Sequence, residues 1–534
     1  PNIGSYGSKS EALAYIGRVN YSYDEKYFLT ANLRVDGSSN FAKNHQWGYF
    51  PGVSLGWDIA KEKFMDDTRS VINQMKLRVG YGQTGNDNIG TAFSNYYIPG
   101  DLIVWGEQIV SSIKLGGLGN PDLKWETQTD FNLGLDFDLW QGRLSGTFDY
   151  YNRVVSDILG WKPLLSTGEA TGITANLDQK KQTYGFEFTL NSQNIRSKNF
   201  SWETNLTYTY YRDRWLKRDD SWRPDIYDSE KAYFGELWYH QSDGLVQEGE
   251  TLPYTTGAIP GTIKFKDIDG YLKDENGNLV LDDNGIPKRL GKPDGILDNA
   301  DKVRIGVNTP FTLGLTNTFR YKSLDLNISM YGVFNRWMTN ATYSLLTDVT
   351  NLEQGLNQLV DVKDRWNSDN RQGTLPSSLQ RFSGYGIGDY YLQKAWFTRV
   401  SNIDFGYKLP LRKGSLRVFA SLQNPILITP YKGLDPESDS RAASYPNQRT
   451  YSVGFQLHLL NLLYMKNIYL LVLSLFCFSC TLEMEEYSKL EESNFFKNEN
   501  DCKAALASLY EIMQGPHGGW INGNQLGAFL ISDM

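Results

Sequence analysis

Acidic side chains are densest in one glycine-punctuated stretch, KDIDGYLKDENGNLVLDDNGIPKRLGKPDGILDNADKVRIG. There Asp294, Asp298 and Asp301 fall around Gly295 at short intervals. Carboxylate oxygens spaced around a Gly turn are the ligand pattern of the second half of a calcium loop. Asp267 and Asp269 supply a first half, with residues 270–293 inserted between the two. Two readings follow: a calcium site built from these five carboxylates, or an acidic, solvated loop. Calcium is the one cofactor this chain suggests.

Other chemistry fails on spacing. The four histidines, His45, His240, His458 and His517, have neither zinc nor triad partners at a useful distance along the chain. Asp136, Asp138, Asp149 and Glu187 have the residue types of a glycosidase acid pair. Each, however, stands at an alternate position of a strand pattern, where a polar wall accounts for it. QTGNDN and DGSSN are rich in Gly without the Lys-Ser/Thr of a phosphate cradle, and no basic stripe points to nucleic acid. No catalytic residue is assigned, and we expect no enzyme.

The elements that hold these side chains read as strands. In FNLGLDFDLW, Phe131, Leu133, Leu135, Phe137 and Leu139 share one face, with Asn132, Gly134, Asp136 and Asp138 on the other. A tight turn at Gln141 and Gly142 leads into RLSGTFDYYNR, which continues both faces. The same pattern recurs to RTYSVGFQLHL, giving about 13 strands between Tyr15 and Leu459. Turns are short at 24–26, 141–142, 196–199 and 322–323. Connections are long at 37–50, 83–124, 154–182, 213–308, 336–394 and 424–448. Period two with short and long connections taking turns marks a transmembrane barrel, apolar outside and wet inside. A soluble sandwich would need long structureless loops that compact domains rarely carry. An open sheet in lipid leaves edge amides unsatisfied, so further strands are expected to complete the wall. Tryptophans in or beside the connections, Trp47, Trp105, Trp161, Trp215, Trp222, Trp238 and Trp366, suit sugar stacking or an interface belt. We expect belt and loop packing.

Four stretches carry a family resemblance: LTANLRVDGSSNFAKNHQWGYFPGVSLGWDIAKEKF, KLRVGYGQTGNDNIG, NPDLKWETQTDFNLGLDFDLWQGRLSGTFDYYNR, and FTRVSNIDFGYKLP with the later YKGLDPES. Through them residues 1–464 resemble the C-terminal part of a SusC/RagA-type TonB-dependent outer-membrane transporter. That resemblance implies an all-β, 22-stranded barrel around an N-terminal plug, energised by the TonB complex through a box upstream of Pro1. It also implies oligosaccharide or peptide cargo, outer-membrane lipid around the wall, and a Gram-negative, Bacteroidota-like source. Transporters of this type often carry an uninterrupted acidic version of the Asp267–Asp301 stretch. The runner-up is a passive porin or adhesin barrel, which plug and TonB box would distinguish.

A second composition begins near residue 464. From Met465 onward there are four Lys, no Arg and nine Asp or Glu. All three cysteines, Cys477, Cys480 and Cys502, lie there as well. Residues 465–480, MKNIYLLVLSLFCFSC, have the basic start, apolar run and small-residue close of a secretory signal. Residues 481–534, with ESNFFKNENDCKAALASLYEIM, resemble the helical opening of a SusD/RagB-type surface lipoprotein, which implies Cys480 as the lipidated residue. We expect two partial proteins in one reading frame, joined by a lost stop codon or an assembly join.

Overall fold

The computed structural model describes residues 10–459, apart from 90–91, 107, 165–170, 220–224, 230, 349–354, 356, 380–387, 413 and 439–446. The signal, Cys480 and the helical segment therefore lie outside the described residues. Residues Ser10–His458 form one compact unit.

Thirteen strands make one sheet, each hydrogen-bonded to its neighbours in the chain. They are β1 (Ala12–Tyr23), β2 (Tyr27–Ser38), β3 (Trp47–Asp58), β4 (Ile72–Asn86), β5 (Glu126–Leu139), β6 (Leu144–Pro163) and β7 (Gly172–Arg196). The sheet continues with β8 (Phe200–Lys217), β9 (Phe311–Tyr321), β10 (Leu324–Phe334), β11 (Phe397–Leu411), β12 (Gly414–Ile428) and β13 (Thr450–Leu459). Neighbour-only pairing is what hairpin turns enforce. It reproduces the strand number and order expected from the alternation.

The β5–β6 register fixes the two faces. Leu133 pairs with Tyr150, Leu135 with Phe148, Gly134 with Asp149 and Asp136 with Thr147. Apolar residues thus oppose apolar ones, and polar residues oppose polar ones. The outward residues of the first and last strands stay exposed, among them Tyr15, Val19 and Tyr21 at one edge and Tyr451, Val453 and Phe455 at the other. An aromatic band crosses the apolar face. Phe148 stacks on Phe186, Phe186 on Tyr208, Tyr208 contacts Phe311, Phe311 stacks on Phe334, and Phe334 on Trp396.

Two connections differ from expectation, and a third holds short helical segments. The stretch 154–182 is mostly strand: β6 runs on to Pro163 and β7 starts at Gly172, as one long hairpin. Val154, Val155, Ile158 and Leu159 keep the ladder going, past a bulge where Asp157 takes φ 55°. The β5–β6 turn holds residues 140–143, with Trp140, Gln141 and Gly142 all at positive φ. The link from β3 to β4, residues 59–71, is no tight turn, because it carries two short 3-10 segments (Ile59–Lys61 and Lys63–Thr68). Glu62 between them accepts from Tyr27 Oη at 2.6 Å and Trp57 Nε1 at 3.1 Å, so the polar tips of two outward aromatics have a partner at this end of the wall.

On the other end the long connections fold. Residues 87–125 hold a two-stranded ribbon, Tyr96–Trp105 with Gln108–Gly117. The connections 218–310 and 335–396 share an apolar core of Leu245, Ile263, Phe265, Leu297 and Trp366. Ser377 N–H donates to Gly261 O at 2.7 Å and Trp366 Nε1 to Gln247 Oε1 at 3.3 Å, joining the two loops directly. A seven-residue helix, α1 (Ala341–Thr347), starts at Asn340, whose side chain accepts from Tyr343 N–H.

Candidate functional site: the polar wall and its loops

The polar face is cross-braced by ion pairs that skip over glycines. Arg78 on β4 grips Asp136 on β5 with two bonds, 2.9 and 2.8 Å, and reaches Asp149 on β6 at 3.1 Å. Gly134 lies between, and a Cβ there would stand 2.6 Å from the Arg78 guanidinium carbon. Arg417 on β12 repeats the device. It bonds Asp325 on β10 at 3.2 and 2.5 Å while lying over Gly406 of the intervening β11, where a Cβ would meet Arg417 Nη2 at 2.4 Å. Arg320 with Glu203, Arg153 with Asp130 and Lys181 with Asp213 add ion pairs between directly adjacent strands. Asp136 and Asp149 are thereby held by a cation, as wall carboxylates and not as an acid and base facing a substrate.

One stretch of this face is bare. Gly52, Gly80 and Gly82 adjoin Asn32, Ser54, Thr84, Asp130 and Asn132 around a hollow of about 360 Å³. A Cβ at Gly80 or Gly82 would meet nothing closer than 3.9 Å. A large residue therefore fits there only by entering the hollow.

The tightest network ties the last long connection to the wall. Arg399 on β11 is buried, and bonds both Asp435 oxygens at 2.7 and 2.8 Å and Glu437 Oε2 at 2.6 Å. Tyr331 Oη on β10 donates to Glu437 Oε1 at 2.5 Å. Both acids belong to YKGLDPES, read from the sequence only as a mark of resemblance. Its partner Arg399 lies outside the stretch, so spacing along the chain held no signal for the pair.

The five aspartates come together, but their oxygens face amides. Asp301 accepts from Ile268 N at 2.7 Å, Asp269 N at 3.1 Å and Asp298 N at 2.9 Å. Asp267 accepts from Asp294 N and Gly295 N, and Asp269 from Gly270 N and Gly291 N with Arg289 at 3.2 Å. Asp294 accepts from Ile296 N, and Asp298 from Ala300 N. Among the described residues no three His, Cys, Asp or Glu side chains form a metal-holding group. Most of these oxygens accept backbone amides in the folded loop. Those bonds staple a solvated loop.

Burial pulls the Asp269 carboxyl up, but the Gly270 and Gly291 amides and Arg289 outweigh it and hold the group below its ordinary value. Asp274 and Asp282 are lowered by backbone donors, first those of Asn278 and Ile286. A depressed carboxyl contributes stability that is present above its unfolded pKa and lost as pH falls through the folded one. Asp298, raised by burial and then by Asp301 and Asp294, has the opposite sign, since its protonation relieves a penalty. The Asp274 and Asp282 turns are therefore expected to hold at pH 5 and to open below about pH 4. Faster amide exchange at Asn278 and Ile286 at pH 3, after correction for intrinsic rates, checks this.

The tryptophans divide. Trp47 stacks on Tyr15 on the apolar face, centroids 6.0 Å apart, as a belt residue does. Trp366 is buried in the loop core, and Trp215 packs on Phe234 at 5.0 Å. Trp238 Nε1 bonds Glu236 at 3.3 Å, and Trp161 is 61% exposed. Trp222 lies outside the described residues, as does the side chain of Trp105.

Residues 1–262 match the family model described as TonB dependent receptor-like, beta-barrel. The chain is 31% identical over 497 residues to TonB-dependent receptor P3 of Formosa agariphila, covering 85% of this chain and 46% of that one. It is 29% identical to TonB-dependent receptor SusC of Bacteroides thetaiotaomicron, covering 85% and 44%. A solved structure of the RagAB peptide transporter shares the fold at TM-score 0.65 and 23% identity, covering 84% of this chain and 48% of that one. The RagAB peptide importer in its 'open-open' state aligns at TM-score 0.66 and 22% identity. The chain spans a little under half the length of the relatives it matches.

Proposed function

From a chain that carries a TonB-dependent receptor β-barrel domain, we propose the C-terminal wall and extracellular loops of an outer-membrane nutrient importer. The observation that carries this reading is the sheet's division into an exposed apolar face with an aromatic band and an ion-braced polar face. Lipid favours the first and a wet lumen the second. The likeness to SusC and to the RagAB structures supports a SusD-like surface lipoprotein as partner, TonB as energy source, and an oligosaccharide or peptide as cargo.

In this reading the full-length protein takes up ligand beneath the lipoprotein and passes it inward when TonB pulls an N-terminal plug. Ion pairs tie most wall charges to their neighbours, so cargo meets a wall without strong net attraction. Residues 465–534 are the start of that partner lipoprotein, lipidated at Cys480, in frame with the barrel through a lost stop codon or an assembly join. Sequencing the locus and its transcript separates the two routes: a stop codon after Leu459 marks an assembly join, and an open frame through Met465 refutes the assembly join and leaves the lost stop codon.

Uptake of labelled glycan or peptide by cells carrying the full-length gene tests the importer. Uptake is expected to cease when TonB is deleted, and persistence without TonB would instead indicate a passive pore. Gly80→Phe is expected to lower uptake several-fold with barrel assembly intact, since the ring enters the bare hollow without striking the wall. Unchanged uptake would place the cargo path elsewhere.

A further inference from the structure

Directly above the aromatic band the apolar face turns cationic. Tyr210 on β8 lies opposite Phe186 on β7, ring centroids 5.6 Å apart. The next residues on that same face are Arg212, opposite Tyr184, and Arg214, opposite Gln182. Lys180 follows Gln182 on this face of β7. All three stand at the loop end of the wall, where residues 232–234 pair beside β8 beyond the start of β9.

These cations lack the carboxylates that hold the other wall arginines. Among the described residues neither Arg212, Arg214 nor Lys180 makes an ion pair. Arg214 Nε donates to the neutral Gln182 Oε1 at 2.6 Å, and Gln182 in turn donates to Asn152 at 2.8 Å. Arg212 lies over the Tyr233 ring at 4.1 Å, and its Nε is buried without a hydrogen-bond partner. Asp213, the nearest acid in sequence, points to the opposite face and binds Lys181. Tyr184 and Tyr233 wall the guanidiniums, their hydroxyls 3.4 Å apart.

We propose that Arg212, Arg214 and Lys180 hold the phosphate of an outer-leaflet lipid headgroup. Alternate residues on one strand place the two guanidiniums about 7 Å apart along the wall. Each offers a planar fork suited to phosphate oxygens. The aromatic band below marks the hydrocarbon boundary, so the cations sit at headgroup height, and acyl chains run down over Phe186, Tyr208 and Tyr210. A lipid source is favoured over free phosphate because the site opens on the face that carries exposed apolar residues, away from the lumen. The site rests on the outer-membrane reading above.

Native mass spectrometry of the full-length protein in detergent tests it, with bisphosphorylated lipid A, dephosphorylated lipid A and inorganic phosphate as separate probes. One retained bisphosphorylated lipid is expected. Retention is expected to fall at least about tenfold in the double variant Arg212→Gln with Arg214→Gln, and to stay within about threefold when both become Lys. Arg214→Gln alone is expected to give a partial loss, should the double variant fail to show the heat-modifiable migration of a folded barrel. Equal retention of dephosphorylated lipid, full competition by millimolar inorganic phosphate, or an unaffected Gln variant would overturn the proposal. A protein that needs detergent yet retains no lipid refutes the headgroup site alone, whereas one monodisperse without detergent refutes the membrane reading itself.

Discussion

Arg399→Met is expected to free the 429–438 segment from the wall. The guanidinium is 3% exposed and supplies two bonds to Asp435 and one to Glu437. Its removal leaves two carboxylates facing each other in a buried site, a loss of about 3–5 kcal/mol for such a network. The barrel itself keeps its ladder, so the damage is local. Trypsin cleavage after Lys432, three residues before Asp435, is expected to quicken on the order of a hundredfold. Arg399→Lys is expected to fall between, since an ammonium keeps the charge and loses the fork. Neutralising the acids together (Asp435→Asn with Glu437→Gln) in the Met background is expected to restore part of the protection. Equal cleavage of wild type and Arg399→Met would show that the ion network does not hold this loop.

Asp301→Ala is expected to unpick the acidic segment at its centre. The carboxylate is fully buried and satisfies three backbone N–H groups, on Ile268, Asp269 and Asp298. Each amide left unpaired costs about 1–3 kcal/mol, less where water can reach it. Opening of the 267–301 loop is therefore expected to become easier by at least about 3 kcal/mol, and exchange at Ile268 and Asp269 to accelerate more than about a hundredfold. Asp301→Asn keeps an oxygen for Ile268 and Asp269 and gives up the bond from Asp298, so a smaller acceleration is expected. Unchanged exchange in the Ala variant would contradict the staple. Adding calcium to the wild type tests the cation reading, which requires exchange at these amides to slow.

What could be read in advance was local. Alternation in FNLGLDFDLW fixes the face of each residue from Phe131 to Leu139, and a single hairpin turn fixes the register of β6 against β5. Strand number and order follow when each strand pairs only with its sequence neighbours. The braces could not be read, because Arg78 and Asp149 are two strands apart and meet only where Gly134 leaves room. Residues 154–163 were expected in a loop, yet their Val and Ile continue a ladder well past the aromatic band. The aspartates illustrate the converse. Their spacing suits a cation, whereas the backbone N–H groups that the folded loop aims at the same oxygens come from residues far along the chain and left no sequence signal.

Site-directed spin labelling along β5 of the full-length protein in bilayers, from Phe131 to Asp138, tests the division of faces most directly. Labels replacing Phe131, Leu133, Leu135 and Phe137 are expected to collide preferentially with oxygen dissolved in hydrocarbon. Those replacing Asn132, Asp136 and Asp138 are expected to prefer a water-soluble nickel chelate. Collision rates without a period of two, or with the apolar set facing the aqueous reagent, would contradict a lipid-facing wall.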